Sequence, residues 1–146
     1  MRPSREDFAV FYPITTRWSD NDVYGHVNNV VYYSYFDTVA NQYLIAEGGL
    51  DIDQGETIAF VVSSGCDYFA PVAYPQSLEG GIVVEHLGNS SVRYRIGIFE
   101  QGASEASACG FFTHVFVTRA DQKSCPIPAD IRAALSRIHS VPSRSA

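Results

Sequence analysis

Lysine is nearly missing from this chain: Lys123 stands alone beside nine arginines, and sixteen acidic residues bring the formal net charge to −6. With no basic run or stripe, the chain lacks the electrostatic footprint that nucleic-acid binding requires. Cysteine is sparse as well. Cys66, Cys109 and Cys125 lie far apart, show no CxxC spacing and leave one over, which excludes a disulfide framework and a zinc knuckle and points to reduced thiols. Long hydrophobic runs are missing, and none approaches the ~20 residues of a membrane span. The opening MRPSREDFAVFYP carries no apolar stretch of the secretory kind, so a soluble, cytoplasmic protein is the expectation.

Several chemical motifs are missing too. There is no GxSxG elbow, no P-loop and no GxGxxG, so serine-hydrolase, nucleotidase and dinucleotide readings have no local support. DNDVYG, from Asp20 to Gly25, opens like a calcium loop, but Tyr24 occupies its fifth position and Val31 its twelfth, where a bidentate glutamate is needed. Asp20, Asp22 and His26 have no second histidine or cysteine nearby to complete a transition-metal shell. Neither a metal nor an organic cofactor is expected.

What is present suits one compact domain. The 146 residues are 46% hydrophobic and 18% charged, a globular rather than a disordered balance. The whole chain, 1–146, is therefore expected to form a single domain with its core at about 10–135, a ragged polar lead over 1–8 and a loose tail at SVPSRSA. VFYPITTRW suggests a strand that ends at the Asp20–Gly25 loop. From about Asn29 to Glu47 the period changes. Tyr32, Phe36, Val39 and Tyr43, flanked by Tyr35 and Ala40, form the apolar stripe of a helix that Asn28 or Asn29 can cap and Gly48-Gly49 can end. Its β-branched and aromatic opening is a poor helix former, so tertiary burial has to hold it.

Four strand-like segments follow, at about 57–70, 77–87, 90–101 and 105–119, and the turn residues Gly88-Asn89 and Gly102 make the last three an antiparallel meander. In the third segment Arg93, Arg95 and Phe99 alternate with Tyr94, Ile96 and Ile98, the pattern of a half-buried strand. The final segment is apolar on both faces through Phe111, Phe112, Val115, Phe116 and Val117, so it belongs inside the sheet or beneath a second subunit. PADIRAALSRI reads as a short closing helix that starts near Pro128. A strand, a long helix and four strands make an α+β fold in which a five-stranded antiparallel sheet curls around one central helix.

The stretch SDNDVYGHVNNVVYY places hydrogen-bonding side chains directly before apolar ones. Asp22, just ahead of the helix start, can face the unpaired amides of the first turn, a setting suited to an oxyanion or a polarised carbonyl. Capping aspartates are common, however, and the residues alone leave capping and catalysis both open. Arg17 and Asp20 can brace the loop as an ion pair or stand solvated.

Arg17-Trp18-Ser19-Asp20 followed by Asp22-x-x-Gly25-His26-Val27-Asn28-Asn29-x-x-Tyr32 resembles the signature of hotdog-fold acyl-CoA thioesterases of the 4-hydroxybenzoyl-CoA thioesterase type. The resemblance spans residues 10 to about 135 and implies a hotdog fold and hydrolysis of an acyl-CoA to free acid and CoA. It assigns Asp22 as nucleophile or general base and the backbone N–H near Asn29 as the group that binds the thioester carbonyl. Some relatives carry a histidine seven residues after the aspartate, where this chain has Asn29, so no second acid–base group is expected there. Tyr24, Gly25, His26 and Asn28 then become supporting residues, with His26 holding the loop or orienting Asp22. The pantetheine arm would lie between two subunits of a homodimer or homotetramer. Tyr33 would touch substrate, and Arg93 and Arg95, with Arg119 and Lys123 as further cations, would meet the nucleotide phosphates. An acidic chain should repel acidic carrier proteins, which favours CoA esters. A hotdog hydratase or dehydratase and a non-catalytic acyl-CoA binding module are the alternative readings.

Overall fold

The computed structural model describes residues 2–140; the tail from 141 onward lies outside the described residues. The chain runs β1 (Val10–Thr15), α1 (Asn29–Gly48), β2 (Thr57–Tyr68), β3 (Ser77–Leu87), β4 (Ser91–Glu100), β5 (Ala108–Thr118) and α2 (Ala129–Arg137). All five strands join one antiparallel sheet in the order β1-β3-β4-β5-β2, the α+β arrangement that the hotdog resemblance implies.

The expected stripe is what holds α1. Tyr32, Tyr35, Phe36, Val39, Ala40 and Tyr43 are all buried, and Leu44 joins them. They pack on Ile82, Val84, Tyr94, Ile96 and Phe112 of the sheet, so burial offsets the poor propensity of the first turn. Asn28 is the cap, its side chain accepting from the Val30 amide. At the other end Gly49 turns left-handed at φ 70° and the Leu50 amide donates to the Leu44 carbonyl, which closes the helix. α2 begins just after Pro128 and buries Ile131, Ala134 and Leu135, while the Tyr43 hydroxyl donates to the Ala134 carbonyl.

β3, β4 and β5 form the expected meander, and β5 is interior, between β4 and β2. The edges of the sheet are β1 and β2. A register shift between Val61 and Ser63 marks a bulge in β2.

The polar lead is not ragged. Residues Arg5–Asp7 form a 3-10 turn, the Arg5 amide donates to the Ser104 carbonyl, and the Arg5 guanidinium reaches Glu79 at 2.7 Å. The turn lays Phe8 across the outer sheet face, edge-on to Phe99 at 5.6 Å. Gly81 and Gly97, paired across β3 and β4, leave the flat space that the ring fills; a Cβ at Gly97 would stand 2.7 Å from it. Phe99, patterned as a half-exposed residue, is therefore fully buried. Alternation assigned its face correctly and could not show that the N-terminus covers that face.

Candidate active site

A buried charge anchors the loop between β1 and α1. Asp20 has no exposed surface and accepts from the Arg17 amide at 2.9 Å, the Arg17 guanidinium at 3.0 Å and the Tyr35 hydroxyl at 2.8 Å. The ion pair that the residues left open is formed. Burial by itself would push the Asp20 carboxyl up, yet the donors from Tyr35 and Arg17 prevail and hold it below the usual carboxylate range. The Asp20 carbonyl also accepts from the Asn28 amide at 2.9 Å, so the start of α1 is tied to this anchor.

Between the two tied points the chain makes a tight turn. The Asp22 amide donates to the His26 carbonyl and the Gly25 amide to the Asp22 carbonyl, with Gly25 at φ +84°, a conformation that favours glycine. The Val27 amide donates to Val72 and the Tyr74 amide to the Asn21 side chain, which fixes the turn against the segment after β2.

Asp22 is half-buried and does not cap α1. Its Oδ1 accepts from the Tyr24 amide at 2.9 Å in its own turn, while Oδ2 has no hydrogen bond among the described residues. Capping falls to Asn28, whose side chain takes the Val30 amide and whose carbonyl takes the Val31 amide. The Asn29 amide is left without an acceptor among the described residues, at the positive end of a twenty-residue helix. Asn29 lines a cleft of about 290 Å³ together with His26, Val27, Tyr32, Tyr68, Phe69, Ala70 and Pro71. Asp22 is not among the residues that line this cleft; Asn29 is, and its unshared amide at the helix start can donate to an oxyanion or a polarised carbonyl.

Among the other residues singled out from the sequence, Tyr24 is exposed and serves the turn through its amide. His26 is exposed; it meets Asp22 through its backbone carbonyl, and its ring makes no hydrogen bond among the described residues. Tyr33 is half-buried, edge-on to Phe36 at 5.8 Å, and is not among the residues that line the cleft. Arg93 and Arg95 stand on the outer sheet face. Together with Pro3, Asp67, Glu85 and Phe111 they line a separate cavity of about 470 Å³. Arg93 pairs with Glu85 at 3.1 Å and lies over the Phe111 ring. Arg119 ties the loop before β2 by donating to the carbonyls of Ile52 and Gly55. Among the described residues no cluster of three or more histidine, cysteine, aspartate or glutamate side chains could hold a metal, and no helix is long and apolar enough to cross a membrane.

Sequence reasoning missed Tyr68, Phe69 and Pro71. They follow the loop by some forty residues and reach it only because β2 ends beside the start of α1, where the Tyr68 hydroxyl donates to the Asn29 carbonyl at 3.4 Å.

Residues 24–107, which begin within the turn just after Asp22 and hold α1, β2, β3 and β4, match the family described as the Thioesterase superfamily. The chain belongs to that family. Among solved structures it is similar to the PA5185 protein of Pseudomonas aeruginosa strain PAO1, with 56% identity over 96% of this chain and 98% of that one and a TM-score of 0.95. The PA2801 protein of Pseudomonas aeruginosa is 29% identical over 86% of this chain and 96% of its own, at a TM-score of 0.76. The uncharacterized protein YsmA of Bacillus subtilis (strain 168) is 28% identical over 88 residues, 60% of this chain. That match spans 59% of the length of YsmA.

Proposed function

We propose that this Thioesterase-superfamily chain hydrolyses an acyl-CoA to the free acid and CoA, in the manner of the 4-hydroxybenzoyl-CoA type that its motif resembles, as a cytoplasmic homodimer or homotetramer. The observation that carries the reading is the division of labour at the start of α1: Asn28 satisfies Val30 and Val31, so the Asn29 amide is free for a ligand oxygen. Family membership supports thioester chemistry, and the resemblance supplies Asp22 as its carboxylate.

In this mechanism the thioester carbonyl oxygen takes the Asn29 N–H, and the helix end stabilises the charge that builds there. As general base, Asp22 removes a proton from water while the water oxygen bonds to the carbonyl carbon. Collapse of the tetrahedral adduct breaks the carbon–sulfur bond and expels the thiolate, which recovers the proton. As nucleophile, Asp22 bonds to the carbonyl carbon, the thiolate leaves, and water then cleaves the mixed anhydride. Both routes use the unpaired Oδ2, while the Tyr24 amide keeps Oδ1 in place. Arg93 and Arg95 would receive the phosphates at the far end of the CoA, and Tyr33 would act from behind the first turn.

The test is thiol release across short, long, branched and aromatic acyl-CoAs by the wild type and by Asp22→Asn. Asparagine keeps the size and can still accept from Tyr24, so the variant should melt with the wild type and lose about 10²-fold or more in turnover, the scale of general-base assistance. Near wild-type turnover would return Asp22 to the status of a turn residue. Interconversion of enoyl- and hydroxyacyl-CoA without thiol would identify a hydratase, and tight binding with no product a binding module.

A further inference from the structure

The loop that carries Asp22 is a short ladder. The Asn28 amide donates to the Asp20 carbonyl at 2.9 Å, Asn21 and Val27 form a bridge, and the Asp22 amide donates to the His26 carbonyl at 2.9 Å. Asp22 therefore stands at the far end of the ladder, and Asn29 follows directly from its near end. These rungs fix Asp22 within the ladder. Its place relative to the Asn29 amide depends on how the ladder is set against α1.

The chain at Asn28 and Asn29 joins the two, with two soft dihedrals per residue. Val27 packs into the core, but apolar contact is non-directional. Tyr68 and Asn28 reach only the first turn of the helix, at the Asn29 carbonyl and at the Val30 and Val31 amides. Among the described residues, one hydrogen bond runs from the ladder to α1 beyond that turn. The Tyr35 hydroxyl, about 9 Å along the axis from Asn29, donates to Asp20 Oδ2 at 2.8 Å. The other donors to this carboxylate, the Arg17 amide and guanidinium, come from three residues away in the chain. They hold Asp20 to its own loop and not to the helix.

A fully buried carboxylate is a poor way to gain stability, since an apolar side chain of similar volume often serves as well. What the carboxylate adds is direction, because its oxygens accept along preferred lines. Resting on the acyl-CoA reading above, we propose that Asp20 is a positioning residue: through Tyr35 it holds the ladder at one angle to α1 and so sets the Asp22 carboxylate against the Asn29 amide. With no exposed surface, Asp20 does not touch substrate. Its effect on turnover passes through Asp22, and misplacement of a reacting group by about 1 Å can lower a rate about 10²-fold.

The experiment compares Tyr35→Phe, Asp22→Asn and the double variant with the wild type, on the full chain and below the melting temperature of each. In hydrogen exchange, Tyr35→Phe should speed the Asp22 and Asn28 amides about tenfold or more, while the α1 amides from Val39 to Leu44 keep wild-type protection. In thiol release its kcat should fall about tenfold or more, with affinity for a non-hydrolysable alkyl-CoA thioether within about twofold of the wild type. In the Asp22→Asn background the same change should be nearly silent, since a residue that acts through Asp22 then has nothing left to position. Asp20→Asn weakens the same bond from the other side. It should move exchange and kcat the same way by a smaller factor, and it covers the case in which Tyr35→Phe fails to fold. A merely structural tyrosine would lower turnover by one factor in both backgrounds, and that result overturns the proposal, as do wild-type exchange rates at the ladder amides. A wild type that hydrolyses no acyl-CoA defeats the hydrolase reading, and the exchange rates then decide the tie alone.

Discussion

The hydroxyl of Tyr35, in the second turn of α1, donates to Oδ2 of Asp20 at 2.8 Å, and that carboxylate has no exposed surface. The helix that floors the site and the loop that carries Asp22 are therefore joined through a buried charge. Tyr35→Phe keeps the ring and removes one donor, which should cost ~1.5–3 kcal/mol, the range for a hydrogen bond to a charged group. The sign of the pH dependence follows from the lowered Asp20 pKa: its contribution is complete above the ordinary carboxylate value near ~4 and is lost as pH falls through the lower native value. Acid unfolding should begin at higher pH in Tyr35→Phe than in the wild type. An unshifted acid limb and an unchanged melting temperature would show that Arg17 alone satisfies Asp20.

His114 gives a second pH dependence in a different window. It is 2% exposed on the helix-facing side of β5, its Nδ1 lies 3.1 Å from the Tyr94 hydroxyl, and burial pulls its pKa down to about 4. Between the unfolded value near ~6.5 and the native value, the unfolded chain binds a proton that the native chain refuses. Stability should fall by roughly 3 kcal/mol from pH 6.5 to 4 on this account and then level off with respect to His114. His114→Phe should flatten that interval even if the unpaired Tyr94 hydroxyl lowers stability at every pH. Denaturant midpoints taken at half-unit pH steps measure the slope, and equal slopes in both proteins would contradict the assignment.

Phe36 is fully buried at the centre of the α1 stripe, edge-on to Tyr33 at 5.8 Å and to Phe112 at 6.4 Å. Phe36→Ala should cost ~3–5 kcal/mol through lost burial and the cavity left behind. The reading is the denaturant midpoint, and a loss below ~1 kcal/mol would mean that the sheet collapses onto the gap.

The parts of this structure that were legible in the sequence are those fixed by local period. The α1 stripe, the Asn28 cap and the glycine stop follow from spacing within one helix, and the interior position of β5 follows from its doubly apolar faces. The parts that were not legible depend on distant segments arriving. Phe99 looked half-exposed because nothing in its strand shows that Phe8 will cover it. Arg93 and Arg95 were correctly placed on one face, but alternation does not say which face adjoins the cleft. Asp22 had two plausible roles from its position alone; the alternative of helix cap ends once Asn28 is seen to hold the Val30 amide. Tyr68 could not be connected to Asn29 without the register that brings the end of β2 to the start of α1.

The outermost strand carries the last prediction. β2 is an edge of the sheet, and at its bulge Phe60, Val61 and Val62 are 40%, 44% and 59% exposed. Natural edge strands are usually blunted by charge, proline or a cover, because a long apolar edge pairs with whatever strand arrives. Here the bulge is present, yet the three exposed residues beside it are all apolar, which suits a second copy of the same strand across a two-fold axis. The expected outcome in sedimentation at micromolar concentration is a dimer or a dimer of dimers. Val62→Lys tests the edge directly: the side chain is more than half exposed in the single chain, so lysine should cost the isolated fold little while placing a charge in the contact. The variant should sediment as a smaller species, with turnover falling in step if the cleft beside Tyr68 needs the second subunit. A wild type that stays monomeric and fully active would sink the assignment, and a Val62→Lys variant that keeps the wild-type assembly would move the interface away from this edge.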